Sequence, residues 1–295
     1  MFDIKNVKTL HIEPTSNCNA ACPQCSRFER DGITLAKHLQ LQDLTVEKIK
    51  STLSYDFVLN LNKMFMCGMN GEPAASKHCL NIYDWFREIN PTITLGMNTN
   101  GGLRTVDFWN QLGTKLNNIT DYCVFSIDGL ADTNHIYRRN VDFKKVIENA
   151  TAFIASGGRA HWDMLIFKHN EHQIEECKQL AKSLGFVAFR AKVSRRFMSK
   201  PINGIDPPSN YDVQLIKSTK INCQALNDNS LYMDYLGNLK PCCFLSNHSY
   251  SYLDFPTLIS NWGTDTSEPA CISSCSEVET RTNFNKQWVY EEYFL

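Results

Sequence analysis

Three cysteines, Cys18, Cys22 and Cys25, fall within eight residues in a Cys-x3-Cys-x2-Cys pattern. Clustered thiolates are soft ligands, selecting zinc, copper(I) or iron–sulfur clusters. Three ligands with no obvious fourth suit a cluster that leaves one iron open to another molecule. Structural zinc wants a fourth ligand close by, and neither His11 nor His38 stands at knuckle-like spacing. The spacing therefore favours iron–sulfur over zinc. A second group, Cys223, Cys242, Cys243, Cys271 and Cys275, lies near the C-terminus. Cys223 and Cys242 flank a segment that turns at Gly237, and Cys271-x3-Cys275 completes a four-thiolate set, with Cys243 the spare and its exchange with Cys275 the open alternative. On spacing alone a four-cysteine zinc site is also compatible. Cys67 and Cys123, in apolar runs, read as small core residues, and Cys79 and Cys177 as helix residues.

The elements that must position these groups alternate. Strand-like runs at Thr9–Glu13, Lys63–Cys67, Thr92–Met97, Tyr122–Ile127, His161–Phe167 and Phe186–Ala191 are separated by helical patterns. The helices expected are Thr45–Leu61 with Thr45 as N-cap, Leu80–Ile89, Val106–Leu112, Phe143–Ala155 and Gln173–Leu184. Such alternation implies a parallel sheet with helices outside, an α/β fold of partial (β/α)6 TIM-like barrel type. Barrels place chemistry at the C-terminal strand ends, and the first cysteine group follows the first strand. A Pro- and Gly-rich stretch from Pro201 to Asn210 separates residues 1–214 from a small cysteine-bearing unit at 215–295. That unit begins with a hairpin, Leu231–Tyr235 turning at Leu236-Gly237-Asn238. The aromatic-acidic end, Trp288 to Leu295, is expected to dock on the barrel or on a partner.

With 295 residues the chain can bury a core without staples. A net charge of −1 and no basic stripe weigh against a nucleic-acid surface. There is no signal-peptide pattern and no apolar run of about 18 residues, so the reading is no membrane span and a reducing cytoplasm, where twelve cysteines point to metal rather than disulfides.

The first three-cysteine pattern resembles the signature of the radical S-adenosylmethionine (radical SAM) superfamily. In that family the cysteines hold a [4Fe-4S] cluster whose fourth iron chelates SAM. Gln24 departs from the aromatic residue usual before the last cysteine. Asn70-Gly71-Glu72-Pro73 resembles the family's Gly-Gly-Glu-Pro segment, with Asn70 in place of the first Gly. Thr99-Asn100-Gly101-Gly102 and Ser126-Ile127-Asp128-Gly129 are similar to segments that approach SAM. Arg138, in preference to Arg139, resembles the arginine that meets the SAM carboxylate. The resemblance thus implies SAM contacts from Asn70, Gly71, Glu72, Thr99, Asn100, Ser126, Asp128 and Arg138. Met164–Phe167 with Lys168–Glu171 resembles a later strand and loop, where Asn170 is as readily a helix cap as a substrate contact.

The C-terminal group resembles the SPASM extension in its shortened, twitch form. That resemblance implies a second [4Fe-4S] cluster on Cys223, Cys242, Cys271 and Cys275. It implies reductive cleavage of SAM to a 5′-deoxyadenosyl radical and hydrogen abstraction from a substrate, an oxidoreductase-type enzyme fed by a flavodoxin- or ferredoxin-like donor. Relatives with this extension modify peptides or proteins, which is the substrate class expected, while others oxidise sugar-like or aminocyclitol molecules. The absence of a leader-binding module before residue 18 keeps that small-molecule dehydrogenase reading close. A non-catalytic metal-binding module would leave the SAM-like segments unexplained.

Overall fold

The computed structural model describes residues 3–29, 31–194, 196–197, 204–210, 220–276 and 288–294. Strands β1 (Thr9–Ile12), β2 (Lys63–Met66), β3 (Thr94–Thr99), β4 (Tyr122–Ser126), β5 (Ala160–Ile166) and β6 (Ala188–Val193) pair in chain order, all parallel. The helices between them are α1 (Val46–Thr52), α2 (Tyr55–Leu59), α3 (Cys79–Ile89), α4 (Val106–Lys115), α5 (Asn134–Tyr137), α6 (Phe143–Ala155) and α7 (Ile174–Ser183). Beyond them come α8 (Gln224–Asn227), β7 (Ser230–Met233), β8 (Leu239–Lys240), α9 (Phe255–Ser260), α10 (Pro269–Cys275) and β9 (Tyr290–Tyr293). The sheet order is β8-β7-β1-β2-β3-β4-β5-β6-β9, with both outermost strands antiparallel to their neighbours. This is the α/β partial barrel expected from the alternation. No described helix is long and apolar enough to cross a membrane.

Strand alternation divides the barrel wall. On β5, Ala160, Trp162, Met164 and Ile166 are buried, while His161, Asp163 and Leu165 are half-buried on the other face. The buried face packs outward on the helices: Trp162 lies 5.5 Å from Phe186 and Trp109 lies 5.2 Å from Phe125. Truncating one of these rings to Ala costs about 3–5 kcal/mol. The inner face is left polar and aromatic.

Three elements depart from the sequence reading. The single helix expected over 45–61 breaks at Leu53, which is extended at φ −109° and ψ 130°. Ser54 then accepts from the Phe57 N–H and caps α2, a competing start that apolar spacing conceals. Strand β3 begins two residues late, because the Asn90 side chain accepts from the backbone and hydroxyl of Thr92 and holds that residue in a turn. The predicted hairpin forms, but its first strand joins the barrel sheet, with Leu10 opposite Leu231 and Ile12 opposite Met233. A smaller apolar cluster of Cys223, Ala225, Leu245, Phe255 and Leu258 lies beyond it. The boundary placed at 214/215, and Pro201 of the stretch before it, lie outside the described residues. The C-terminal segment docks on the barrel: β9 pairs with β6, and Trp288 lies against Arg190 (4.5 Å) and Lys192 (4.3 Å).

Candidate SAM and iron–sulfur site

The loop after β1 carries Cys18, Cys22 and Cys25 and is fastened on several sides. Ser16 N–H donates to Gln42, Ala21 N–H to Arg139, and Glu72 N–H to the Asn17 carbonyl at 2.8 Å. The Arg27 guanidinium donates to the carbonyls of Ser16 and Asn70, and Ser26 to that of Met69. The β2 loop can lie this close because Gly71 has no side chain: a Cβ there would stand 1.9 Å from the Thr15 carbonyl oxygen.

The donor set suits a soft metal cluster. Cys22 is buried and its two neighbours are half-buried. Burial, reinforced by Glu72, pushes the Cys18 thiol up to about 12, and burial pushes Cys22 up to about 11 against the pull of Arg138. Metal binding would therefore displace the thiol protons. The Ala20 N–H (3.4 Å) and Asn100 Nδ2 (3.9 Å) point at the Cys18 sulfur, the kind of outer contact that stabilises a ligating thiolate. Among the described residues no three His, Cys, Asp or Glu side chains gather closely enough for a single ion. A cubane takes its thiolates on different irons, so they need not meet at one point.

Around this loop several of the resemblance-derived residues form two networks. Glu72 is buried, and its carboxylate accepts from the Thr99 hydroxyl, from Asn100 N–H at 2.7 Å and from Ala74 N–H at 3.2 Å. It ties the β2 loop to the β3 loop, and burial raises its pKa. The resemblance implies a SAM contact from Glu72; here its oxygens are engaged within the protein. Asn70 is 1% exposed, and its Oδ1 has no partner among the described residues, an acceptor available to a bound molecule. Asp128 pairs with Arg138 at 2.6 Å and accepts from Leu165 N–H at 2.6 Å. That pair braces the β4 loop against β5 behind Cys22. Ser126 is half-buried at the end of β4. Asn170 is fully buried, but it bonds back to Phe167, Leu165 and Asp128 rather than capping the helix ahead.

Glu13, Arg27, Arg104 and Tyr232 were not singled out from sequence. Glu13 is fully buried and accepts from Asn70 and Gly71 N–H and from the Tyr232 hydroxyl. Its place one residue beyond a strand end was the available signal. Arg104 donates to the carbonyls of Ala74 (2.6 Å) and Ser76 (2.7 Å), closing the same loop from outside. Cys67, expected in the core, is half-buried at the end of β2, and its pKa is raised chiefly by burial, with Cys243 contributing.

Of the second cysteine group, Cys223 belongs to the smaller apolar cluster and Cys242 packs against it. Cys223 precedes α8, Cys242 precedes a short turn at Cys243–Leu245, and α10 carries Cys271 and Cys275 one turn apart. A bridge between Ile221 and Ser276, with Asn222 N–H donating to the Cys275 carbonyl, brings the two segments together. Burial is the main cause of the raised pKa of Cys271, to about 11, with Cys223 and Cys275 contributing. Burial also raises the pKa of Cys242, with Cys243 and then Cys223 contributing.

No family model matches the sequence, and no curated protein matches it. Solved structures do match the fold. Streptococcus suis SuiB bound to S-adenosylmethionine superimposes with TM-score 0.58 at 15% identity, over 88% of this chain and 66% of that one. The chain thus spans just under two thirds of SuiB. Native anSMEcpe with bound AdoMet and Cp18Cys peptide gives 0.56 at 15% identity, over 82% and 76%. BtrN in complex with AdoMet and 2-DOIA gives 0.50 at 12% identity, over 97% and 98%. What the chain shares with these AdoMet-bound structures is the fold, a partial α/β barrel.

Proposed function

We propose that this chain is a radical SAM enzyme that acts by oxidative modification of a peptide or protein. The carrying observation is the position of Cys18, Cys22 and Cys25: three buried or half-buried thiols on the first strand-end loop of a barrel whose structural matches bind AdoMet. In this reading the three thiolates hold a [4Fe-4S] cluster, and Asn70, Gly71, Glu72, Thr99, Asn100, Ser126, Asp128 and Arg138 form the SAM cradle. With cluster and SAM bound, the chemistry supplied is one-electron cleavage of SAM to a 5′-deoxyadenosyl radical that takes a hydrogen atom from substrate.

The protein's own part is placement. Glu72 fixes the Thr99–Asn100 backbone, and Asp128 holds Arg138 where its charge favours the Cys22 thiolate. Asn70 presents the unpartnered amide oxygen. Cys223, Cys242, Cys271 and Cys275, in the unit from 215 onward, hold a second [4Fe-4S] cluster that passes electrons or maintains structure. A flavodoxin- or ferredoxin-like protein in the cytoplasm supplies the electrons. The SuiB and anSMEcpe structures with bound peptides support the substrate class.

A second reading, a small-molecule dehydrogenase, is favoured by the match to BtrN with 2-DOIA, which covers 97% of this chain. Anaerobic reconstitution tests the enzyme reading, with about eight irons expected, four per cluster, and deoxyadenosine formed on reduction with SAM. Zinc in place of iron would sink it. Deoxyadenosine yield with peptide pools against metabolite pools then separates the two substrate classes.

A further inference from the structure

The inner wall of the barrel carries charged groups that the SAM cradle does not use. On β2, Met64 and Met66 are fully buried toward the helices, which turns Lys63 and Phe65 inward. On β4, the Tyr122 ring folds across Gly96, where a Cβ would stand 2.4 Å from the ring. The Lys63 ammonium lies 4.8 Å from the Tyr122 ring centre and 5.2 Å from that of Phe65. Aromatic faces attract a cation but accept none of its three N–H groups as a full hydrogen bond.

No carboxylate pairs directly with this charge, although Asp228 acts on it from a distance. Among the described residues the Lys63 ammonium meets no hydrogen-bond acceptor, and no carboxylate within the 4.0 Å ion-pair distance. Asp163 is taken by Arg190 in a two-pronged contact at 2.8 and 3.0 Å. Glu13 is taken by Asn70, Gly71 and Tyr232. Beside Tyr122, at 5.8 Å between rings, His161 buries an Nδ1 that has no partner among the described residues. Burial of Lys63 lowers its hold on its proton, Asp228 partly restores it, and the like charge of Arg190 lowers it further. A half-buried ammonium held over aromatic rings with no paired carboxylate keeps its donors open to an anion. A ligand bringing negative charge would complete the arrangement.

We propose that the barrel interior binds an oxyanion of the substrate, a carboxylate, with the Lys63 ammonium as its counter-ion and His161 Nδ1 as a second polar partner. The inference rests on the reading that a substrate enters the barrel. It narrows that substrate to one with an acidic end.

The test uses the full chain reconstituted with iron and sulfide. Amine-reactive labelling is followed residue by residue in the presence of succinate, inorganic phosphate or uncharged succinamide. Succinate is expected to slow labelling of Lys63 about tenfold, the effect of saturating a site at roughly ten times its Kd, while succinamide does not. Phosphate protecting better than succinate would keep the oxyanion site and assign it to a phosphorylated substrate. Equal labelling with all three probes overturns it. Succinate should also shift the ring resonances of His161, and Lys63→Met should abolish that shift; a shift that survives in the variant overturns the assignment to Lys63. SAM cleavage by the unaltered protein is measured in parallel. Cleavage without protection removes the oxyanion site alone, and protection without cleavage removes the enzyme reading alone.

Discussion

The Tyr232 hydroxyl donates to the Glu13 carboxylate, joining residues 219 positions apart. Glu13 follows β1 and Tyr232 lies on β7, which pairs with β1 in parallel. The same carboxylate takes the backbone N–H groups of Asn70 and Gly71. One buried charge thus holds the C-terminal hairpin, the cysteine loop and the β2 loop in register. Any ligand carried by the cysteine loop depends on a residue from the last third of the chain.

Tyr232→Phe should therefore cost about 1–3 kcal/mol, the penalty for withdrawing a donor from a buried acceptor. The loss should depend on pH. Burial raises the Glu13 pKa above that of an unfolded carboxyl. A raised carboxyl favours the folded state below the unfolded pKa, and that contribution is lost as pH rises through the folded pKa. The protonated acid needs the tyrosine donor less than the carboxylate does. Denaturant titration should show a smaller loss at about pH 5 than at about pH 8. Equal losses would mean that the tyrosine acts through packing alone.

Periodicity made the barrel legible. Trp162, Met164 and Ile166 alternate with His161, Asp163 and Leu165, and the pattern fixes which face meets the helices. Spacing also placed Cys18, Cys22 and Cys25 on a strand-end loop. What spacing does not encode is which distant polar groups meet once the strands pair. Glu13 with Tyr232, Arg104 with the Ala74 and Ser76 carbonyls, and Glu72 with Thr99 are satisfied only across strands. The Glu72 segment was recognisable, yet its partners were not. Hydroxyl and backbone donors leave no periodic trace.

Glu72→Gln tests whether those partners shape the SAM cradle. All three groups that face the carboxylate are donors: the Thr99 hydroxyl, Asn100 N–H and Ala74 N–H. An amide NH2 would oppose at least one of them, at a cost of about 1–3 kcal/mol. Equilibrium dialysis should show SAM affinity lowered about tenfold, equivalent to roughly 1.4 kcal/mol, with iron content unchanged. Unchanged affinity would show that the Glu72–Asn100 link does not reach the SAM site.

Iron counts should assign the cysteines. Replacing Cys18, Cys22 and Cys25 together with Ala should lower the content from about eight irons to about four and end SAM cleavage. Replacing Cys223, Cys242, Cys271 or Cys275 should remove or destabilise the other four, while Cys243→Ala should keep them. Cys223 and Cys275 both act on Cys271, while Cys243 acts on Cys242 as well as on Cys67 and Tyr232, so the iron counts decide between Cys243 and Cys275. Loss of iron in Cys243→Ala with retention in Cys275→Ala would exchange the two assignments.

His11 gives the stability profile its acid limb. Its ring is buried, stacks on Phe65 at 4.5 Å, and its Nε2 lies 2.7 Å from the Cys67 carbonyl, so the neutral ring donates there. Burial lowers its pKa to about 4, against about 6.5 when unfolded. Because the folded value is depressed, this contribution is present above the unfolded pKa and is lost as pH falls from there toward the folded one. Glu13 acts in the opposite sense, so the His11 effect is read as a difference between proteins. His11→Phe keeps the stacking, removes the titration and loses the bond to Cys67. Its stability should be lower than that of the unaltered protein near neutral pH, and the gap should close by up to about 3 kcal/mol on acidification toward pH 4.5. A gap that stays constant over this range would mean that water reaches His11 and lets it charge inside the folded barrel.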